Sequence, residues 1–207
     1  MLINHRRSHW IFALSVLILG EFSILSCAMV TPKKSDSTNL PTLIEAARDG
    51  DANRVEMLLK SDGDVNEKNA SGYPILLLAA SNGHIDTVKI LLSNGADVNI
   101  RDSDDWTALM LASYKGHTEI VKLLLAQGAD VNLNSSSSSN ALMEALLTNY
   151  TSNRLDLVDA LLTDDIDLDA KDDNGDTALM LAKSKGYTNI EKLLQAHAAK
   201  LKNMEKK

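Results

Sequence analysis

Residues 95–99 read GADVN, and residues 128–132 repeat the same five letters 33 positions later. Residues 64–66 read DVN one further period upstream, and residues 167–169 read DLD after a longer gap of 37 positions. Self-similarity at a fixed period of this length is typical of repeat proteins, in which each repeat is one supersecondary unit. The sequence therefore predicts five repeats, the fourth with a four-residue insertion. Their boundaries, repeats 1 to 5 in order, are near 39–68, 69–101, 102–134, 135–171 and 172–200.

Within each repeat the spacing of small and apolar residues predicts two helices. Leucine recurs at position 109 and its equivalents, and alanine follows three positions later, so both lie on one face of a first helix. Glycine stands seven positions after the leucine, as at Gly83 and Gly116, where it can end that helix in the left-handed conformation. Thr107 and Thr177 precede the helices as N-cap residues. The predicted fold class is all-α, a solenoid of about five helix-turn-helix repeats.

Composition narrows the class of protein further. Aromatic residues make up only 4% of the 207 residues, and both phenylalanines, Phe12 and Phe22, lie near the N-terminus. A core without phenylalanine suits short, closely packed helices better than a sandwich or a barrel. The formal net charge of −7 would repel phosphate groups, so nucleic acid is not expected as a partner. The charge suits a soluble surface or a basic protein partner.

The repeat pattern resembles the ankyrin-repeat family. The resemblance rests on Gly83-His84, on Gly116-His117 and on the two GADVN stretches, and it covers about residues 39–200. It implies β-hairpin-like tips between the helix pairs and a non-enzymatic, protein-binding role. Partners of this family usually bind the concave side, which the tips and first helices form. The positions implied for partner binding are Tyr73, Arg101, Asp104, Trp106, Tyr114, Lys115 and Leu147.

Two interpretations of the aromatic residues in this set stay open. Aromatic side chains on an exposed face, flanked by Arg and Lys, are typical of a binding hot spot. Alternatively, the rings pack against the neighbouring tip and stiffen the stack. The repeat register places Trp106 at a tip, where we expect no core for it to fill.

The chain departs from the family pattern in two ways that affect packing. The histidine of the family's T-P-L-H motif is replaced by apolar residues, so we expect contacts between repeats to be apolar; the replacements are Leu77, Met110, Met143 and Met180. Repeat 4 begins with a run of five serines, 135–139, and lacks the tip glycine, which predicts a flexible tip.

The sequence predicts no catalytic residues, no cofactor and no metal ion. It contains no nucleophile-elbow, zinc-protease or phosphate-loop motif. His84 and His117 occupy equivalent repeat positions, which indicates a structural role. The acidic stretch 164–176 invites a comparison with an EF-hand calcium loop. If Gly175 took the sixth position of such a loop, both ends of the loop would lack the carboxylate that binds calcium. We expect a solvated tip there, with a weak cation site or a contact to a basic partner as alternatives.

Residues 1–27 predict an export signal. A positively charged stretch at 5–7 precedes an apolar run at 10–20, and small residues follow. The apolar run is shorter than a membrane-spanning helix, which needs about 20 apolar residues. Residues 24–27 read ILSC and resemble the bacterial lipobox, which implies lipidation of Cys27. Cleavage after Ala28 and an uncleaved signal anchor are the alternatives. All three place the folded part outside the cytoplasm, and lipidation favours the periplasmic side of the outer membrane.

The segments beside the repeats are a flexible tether at 28–38 and a polar tail at 201–207. The predicted function is protein binding in the bacterial envelope, in one version as an inhibitor or immunity protein for a periplasmic toxin or hydrolase. A scaffold for envelope proteins and an effector secreted to a eukaryotic host are the alternatives. The expected partner is another protein of unknown identity, with no contact to a membrane except through Cys27. We expect the unbound chain to be monomeric.

Overall fold

Residues 42–148 and 153–204, which the computed structural model describes, form helices in five consecutive pairs, one pair per predicted repeat. The predicted signal peptide, Cys27 and the tether lie outside these residues. The first helices of the pairs are α1 (Leu43–Asp49), α3 (Ile75–Ser81), α5 (Ala108–Lys115), α7 (Ala141–Leu147) and α9 (Ala178–Ser184). The second helices are α2 (Ala52–Leu59), α4 (Ile85–Ser93), α6 (Thr118–Ala126), α8 (Arg154–Leu161) and α10 (Thr188–Met204).

The helices form two layers with the core between them. Each first helix packs against the first helix of the next repeat and against the second helix of its own repeat. The second helices pack side by side in a second layer. The repeating leucine and alanine, for example Leu109 and Ala112 of α5, are buried in this core. Small side chains at the alanine position let neighbouring helices approach closely, which explains how short helices without phenylalanine exclude water. The all-α prediction is confirmed.

Residue types at the helix ends explain where the helices begin and stop. The hydroxyls of Thr107 and Thr177 accept hydrogen bonds from the backbone N–H groups three residues later, as predicted. Gly116 ends α5 with a φ of 77°, a left-handed conformation that glycine adopts without a steric penalty.

The tips between the helix pairs are tight turns. We define them as residues 69–73, 102–106, 135–139 and 172–176, and in each the N–H of the first residue donates to the carbonyl of the last. In the described ranges the hairpin character is limited to one isolated bridge, between Lys68 and Pro74, and no strand is present.

Contacts between repeats are partly polar, so the prediction of purely apolar packing is wrong. The side-chain oxygen of Asn66 accepts a hydrogen bond from the backbone N–H of Asp97 in the next repeat, at 3.0 Å. Asn99 and Asn132 repeat this contact with the following repeats, at 2.9 and 2.8 Å. The asparagines that end the three DVN stretches therefore join each of repeats 1 to 3 to the repeat that follows.

Histidines form a second set of contacts between repeats. The Nε2 atom of His117 lies 3.1 Å from the carbonyl oxygen of Ser81, and its ring covers Gly83. His84 contacts the carbonyl of Arg48 in the same way, at 2.8 Å. The structural role predicted for both histidines is consistent with these contacts. The Nε2 atom of His197 in α10 lies 3.0 Å from the carbonyl oxygen of Thr163 in the preceding repeat.

The serine run forms an ordered turn and not the flexible tip expected from its composition. Ser135 and Ser139 are buried, and the N–H of Ser136 donates to the carbonyl of Asp104 in the preceding tip. The hydroxyl of Ser138 donates to Asp173 in the following tip, at 2.6 Å. The backbone of Ser136 and the hydroxyl of Ser138 thus join this turn to both neighbouring tips, and low complexity in the sequence does not reveal this.

The C-terminal helix extends past the predicted end of the repeats at residue 200. α10 continues through Met204, and Leu201 packs against the core. The first residues of the predicted polar tail therefore belong to the last helix. Within 42–148 and 153–204, no helix combines the length and the apolar character that crossing a membrane requires.

Candidate functional site

The tip of repeat 3 positions the tryptophan at the centre of the candidate site. One carboxylate oxygen of Asp102 accepts hydrogen bonds from the N–H groups of both Asp104 and Trp106, each at 2.9 Å. Asp102 is itself buried, so this turn is held from inside the repeat. The backbone at Trp106, the last residue of the tip, is therefore held in a fixed direction.

A groove of about 550 Å³ lies along the tips and first helices of repeats 2 to 4. We call it the aromatic groove. Its volume falls within the roughly 300–1,000 Å³ that ligand sites occupy. It is lined by Tyr73, Leu77, Leu78, Ser81, Asn82, Trp106, Leu111, Tyr114, Lys115 and Glu144. Four of the seven sequence-predicted site residues thus lie together: Tyr73, Trp106, Tyr114 and Lys115.

The aromatic pair forms one wall of the groove. The rings of Trp106 and Tyr114 meet edge to face, with centroids 6.2 Å apart and planes at 82°. The ammonium group of Lys115 lies 5.6 Å from the centroid of the Tyr114 ring. Tyr114 is 38% exposed, whereas Trp106 is half-buried and packs against the core. The expectation that Trp106 has no core to contact is therefore wrong.

Glu144 is a groove residue that sequence analysis missed. It lies in α7 and is only 4% exposed. Burial raises the pKa of its carboxyl group, and the nearby side chain of Ser139 partly opposes this. The repeat register contained the signal that could have identified it, because the equivalent positions of repeats 2, 3 and 5 hold Leu78, Leu111 and Leu181.

The other predicted site residues lie outside the lining of the aromatic groove. A guanidinium nitrogen of Arg101 is 3.4 Å from a carboxylate oxygen of Asp105 and 3.5 Å from the carbonyl oxygen of Asn134, so this side chain joins neighbouring tips. Asp104 is exposed at the tip. Leu147 is 37% exposed at the end of α7. These three residues provide surface beside the groove.

The described residues offer little for catalysis by a metal ion. Within 42–148 and 153–204, no group of three or more His, Cys, Asp or Glu side chains is placed to hold one. In the acidic stretch, one carboxylate oxygen of Asp172 accepts hydrogen bonds from the N–H groups of Asn174 and Asp176. Backbone donors lower the pKa of Asp172, the largest effect coming from Asp176. This carboxylate therefore organises a turn.

Comparison with protein families agrees with the geometry. The family model described as ankyrin repeats, in three copies, matches residues 43–135. Residues 43–135 are ankyrin repeats. The matched segment contains α1 to α6 and the tryptophan tip, and repeats 4 and 5 continue the helix pairs beyond it. The chain matches none of the curated proteins with which it was compared.

The ankyrin repeats indicate a protein–protein interaction module. Proteins built from these repeats are generally binding modules without enzymatic activity. The described residues form an all-α solenoid of helix pairs, as the repeat pattern predicts, and the ankyrin family model covers residues 43–135 of it.

Proposed function

We propose that this chain is a non-enzymatic binding module that holds a protein partner in the aromatic groove. The observation that supports this most strongly is the convergence of Tyr73, Trp106 and Tyr114 from two repeats on one open cavity. Interface hot spots are enriched in tryptophan, tyrosine and arginine, which bury large areas with few rotatable bonds. Arg101, Asp104 and Leu147 would contact the rim of the partner.

The site of action that we propose is the bacterial envelope. This rests on the export signal predicted for residues 1–27 and on the lipobox-like sequence that ends at Cys27. The specific role that we favour is inhibition of a toxin or hydrolase in the same compartment. The net charge of −7 is complementary to a basic partner and would speed its association.

A pull-down with variants of the aromatic wall tests partner binding. An affinity-tagged chain is used to capture proteins from an envelope extract of the source organism, and capture by the wild type is compared with capture by Tyr114→Ala and by Trp106→Ala/Tyr114→Ala. We expect the double variant to lose the partner, because truncation of hot-spot residues costs about 2 kcal/mol or more of binding free energy.

Two controls separate binding from folding. Leu155→Ala removes a 45% exposed side chain of α8 outside the aromatic groove, and we expect it to keep the partner. Leu109→Ala removes a core side chain and is expected to lower the free energy of unfolding by about 2–5 kcal/mol. Normal capture by a folded double aromatic variant would mean that the partner binds elsewhere.

Metabolic labelling with a fatty acid tests the proposed location. We expect the wild type to take up label and to appear in the membrane fraction, and Cys27→Ser to take up none. An unlabelled wild type that is soluble in the periplasm would instead support cleavage after Ala28.

A further inference from the structure

Glu144 stands at a repeat position that holds leucine in repeats 2, 3 and 5 and glutamate, Glu45, in repeat 1. The carboxylate of Glu45 accepts a hydrogen bond from the backbone N–H of Thr42 at the start of α1. The equivalent residues Leu78 and Leu111 line the same groove, and Leu181 is buried in the last repeat. A carboxylate is costly to remove from water unless it is paired. The leucines show that the repeat is satisfied without a charge, so packing alone does not explain the glutamate.

The surroundings of Glu144 leave its charge largely uncompensated. The side chain of Ser139 lowers the pKa of its carboxyl group, but by less than burial raises it. The ion pairs in the described part of the chain do not include Glu144. Lys115, the other charged residue of the groove, lies over the Tyr114 ring and forms none with it.

We infer that the aromatic groove recognises an arginine side chain of the protein partner, with Glu144 as the residue that determines this specificity. This inference rests on the proposed function and adds the chemistry of the partner. A guanidinium group stacks on aromatic rings and presents a planar fork that binds a carboxylate through two hydrogen bonds. Trp106 and Tyr114 supply the rings, and Glu144 supplies the carboxylate in a poorly hydrated position, where a charge pair is stronger than in water.

Arginine fits better than the alternatives that the same groove could select. Lysine has a compact, strongly hydrated charge and lacks the planar fork. A purely apolar side chain would bury Glu144 without a partner.

A peptide titration tests this inference. The probes are Ac-Ala-Leu-Arg-Leu-Ala-NH₂ and the same peptide with citrulline, lysine or leucine at the centre. The full chain is titrated while the indole N–H signal of Trp106 is followed by NMR, and Trp106→Phe identifies that signal. We expect the arginine peptide to bind at least about tenfold more tightly than the citrulline peptide, which has the same shape without the charge. Equal affinities would overturn the inference.

Variants of Glu144 supply the matched controls. Glu144→Gln removes the charge, and Glu144→Leu supplies the residue that repeats 2, 3 and 5 hold. We expect both to fold and to lose at least about tenfold in affinity for the arginine peptide, while the leucine peptide binds them no more weakly than it binds the wild type. A second measurement is the pKa of Glu144, which we expect to fall when the arginine peptide saturates the groove. Unchanged affinity in Glu144→Gln, or a lysine peptide that binds as tightly as arginine, would contradict the assignment.

The proposed function and the arginine specificity are tested by different results. The proposed function fails if the folded Trp106→Ala/Tyr114→Ala variant keeps the natural partner. The specificity inference fails if charge at the centre of the peptide, or at residue 144, has no effect on affinity.

Discussion

Glu144 is a carboxylic acid among apolar and aromatic side chains, and this environment affects its protonation and the stability of the fold together. Burial favours the neutral form, so the pKa of the carboxyl group is raised in the folded protein. The unfolded chain exposes the same group to water, where its pKa returns to the ordinary value. The folded state therefore binds this proton more tightly than the unfolded state, and stability is linked to pH.

The first prediction concerns this linkage. As the pH falls through the raised folded-state pKa, the contribution of Glu144 to the free energy of unfolding is expected to increase until the pH is below the unfolded-state value. Urea unfolding of the wild type and of Glu144→Gln at several values between about pH 7 and about pH 4 measures it. The difference between the two proteins isolates residue 144, because groups such as Asp164 and Asp172 titrate in both. A difference that does not change with pH would contradict the prediction.

At the scale of the helix, the turn between the two helices of a repeat depends on the repeat that follows. Gly83 has a φ of +80° after α3, and an added Cβ would lie 2.8 Å from the ring of His117 in the next repeat. Gly95 after α4 has a similar φ of +85° but has no atom within 4 Å of the same position. Position 83 therefore requires glycine for two reasons, its left-handed backbone and the close approach of the His117 ring. Position 95 requires it only for its left-handed backbone.

The second prediction uses these two glycines as a matched pair. Gly95→Ala is expected to lower the free energy of unfolding by about 1 kcal/mol, the cost of a left-handed conformation for a residue with a Cβ. Gly83→Ala is expected to cost more, because the ring of His117 must also move and lose its contact with the carbonyl of Ser81. Thermal or urea unfolding of both variants gives the comparison. Equal losses would show that the histidine ring moves aside at no cost.

In the whole molecule, stability is expected to be a sum over repeats and over the interfaces between neighbouring repeats. The side chains of Asn66, Asn99 and Asn132 each supply a hydrogen bond to the next repeat. Apolar side chains fill the core between the two helix layers, and the asparagine contacts join successive repeats beside it. The shape of the aromatic groove depends on how these repeats stack, since its lining comes from repeats 2, 3 and 4.

The third prediction tests one interface. Asn99→Ala removes the acceptor of the Asp130 N–H and is expected to lower the free energy of unfolding by about 0.5–1.5 kcal/mol. Hydrogen exchange is expected to speed up at Asp130, because this amide loses its partner. Asn94→Ala is the control, since the side-chain amide of Asn94 donates within its own repeat, to the carbonyl of Ile90. Unchanged exchange at Asp130 in Asn99→Ala would show that the asparagine contact does not protect the interface.

Much of the fold could be predicted from the sequence because its signals are local. The five helix pairs, the threonine N-caps and the stop glycines follow from residue types within a few positions of each other, repeated every 33 residues. The candidate site was predicted in part, since the register places Tyr73 and Trp106 at equivalent tip positions. Glu144 was missed for two reasons. It stands out only when compared with the leucines one and two repeats away, and its burial is visible only in the folded chain.

The sequence by itself determined the period, the helical class and the absence of recognisable catalytic motifs, because each depends on spacing along one chain. Only the tertiary structure decided that the serine run is an ordered turn, that asparagines join the repeats, and that Trp106 packs against the core. It also decided which predicted residues share one cavity. The physical reason is that these properties depend on atoms from neighbouring repeats, about 33 positions apart in sequence, and burial and hydrogen bonding are set by the distances between them in space.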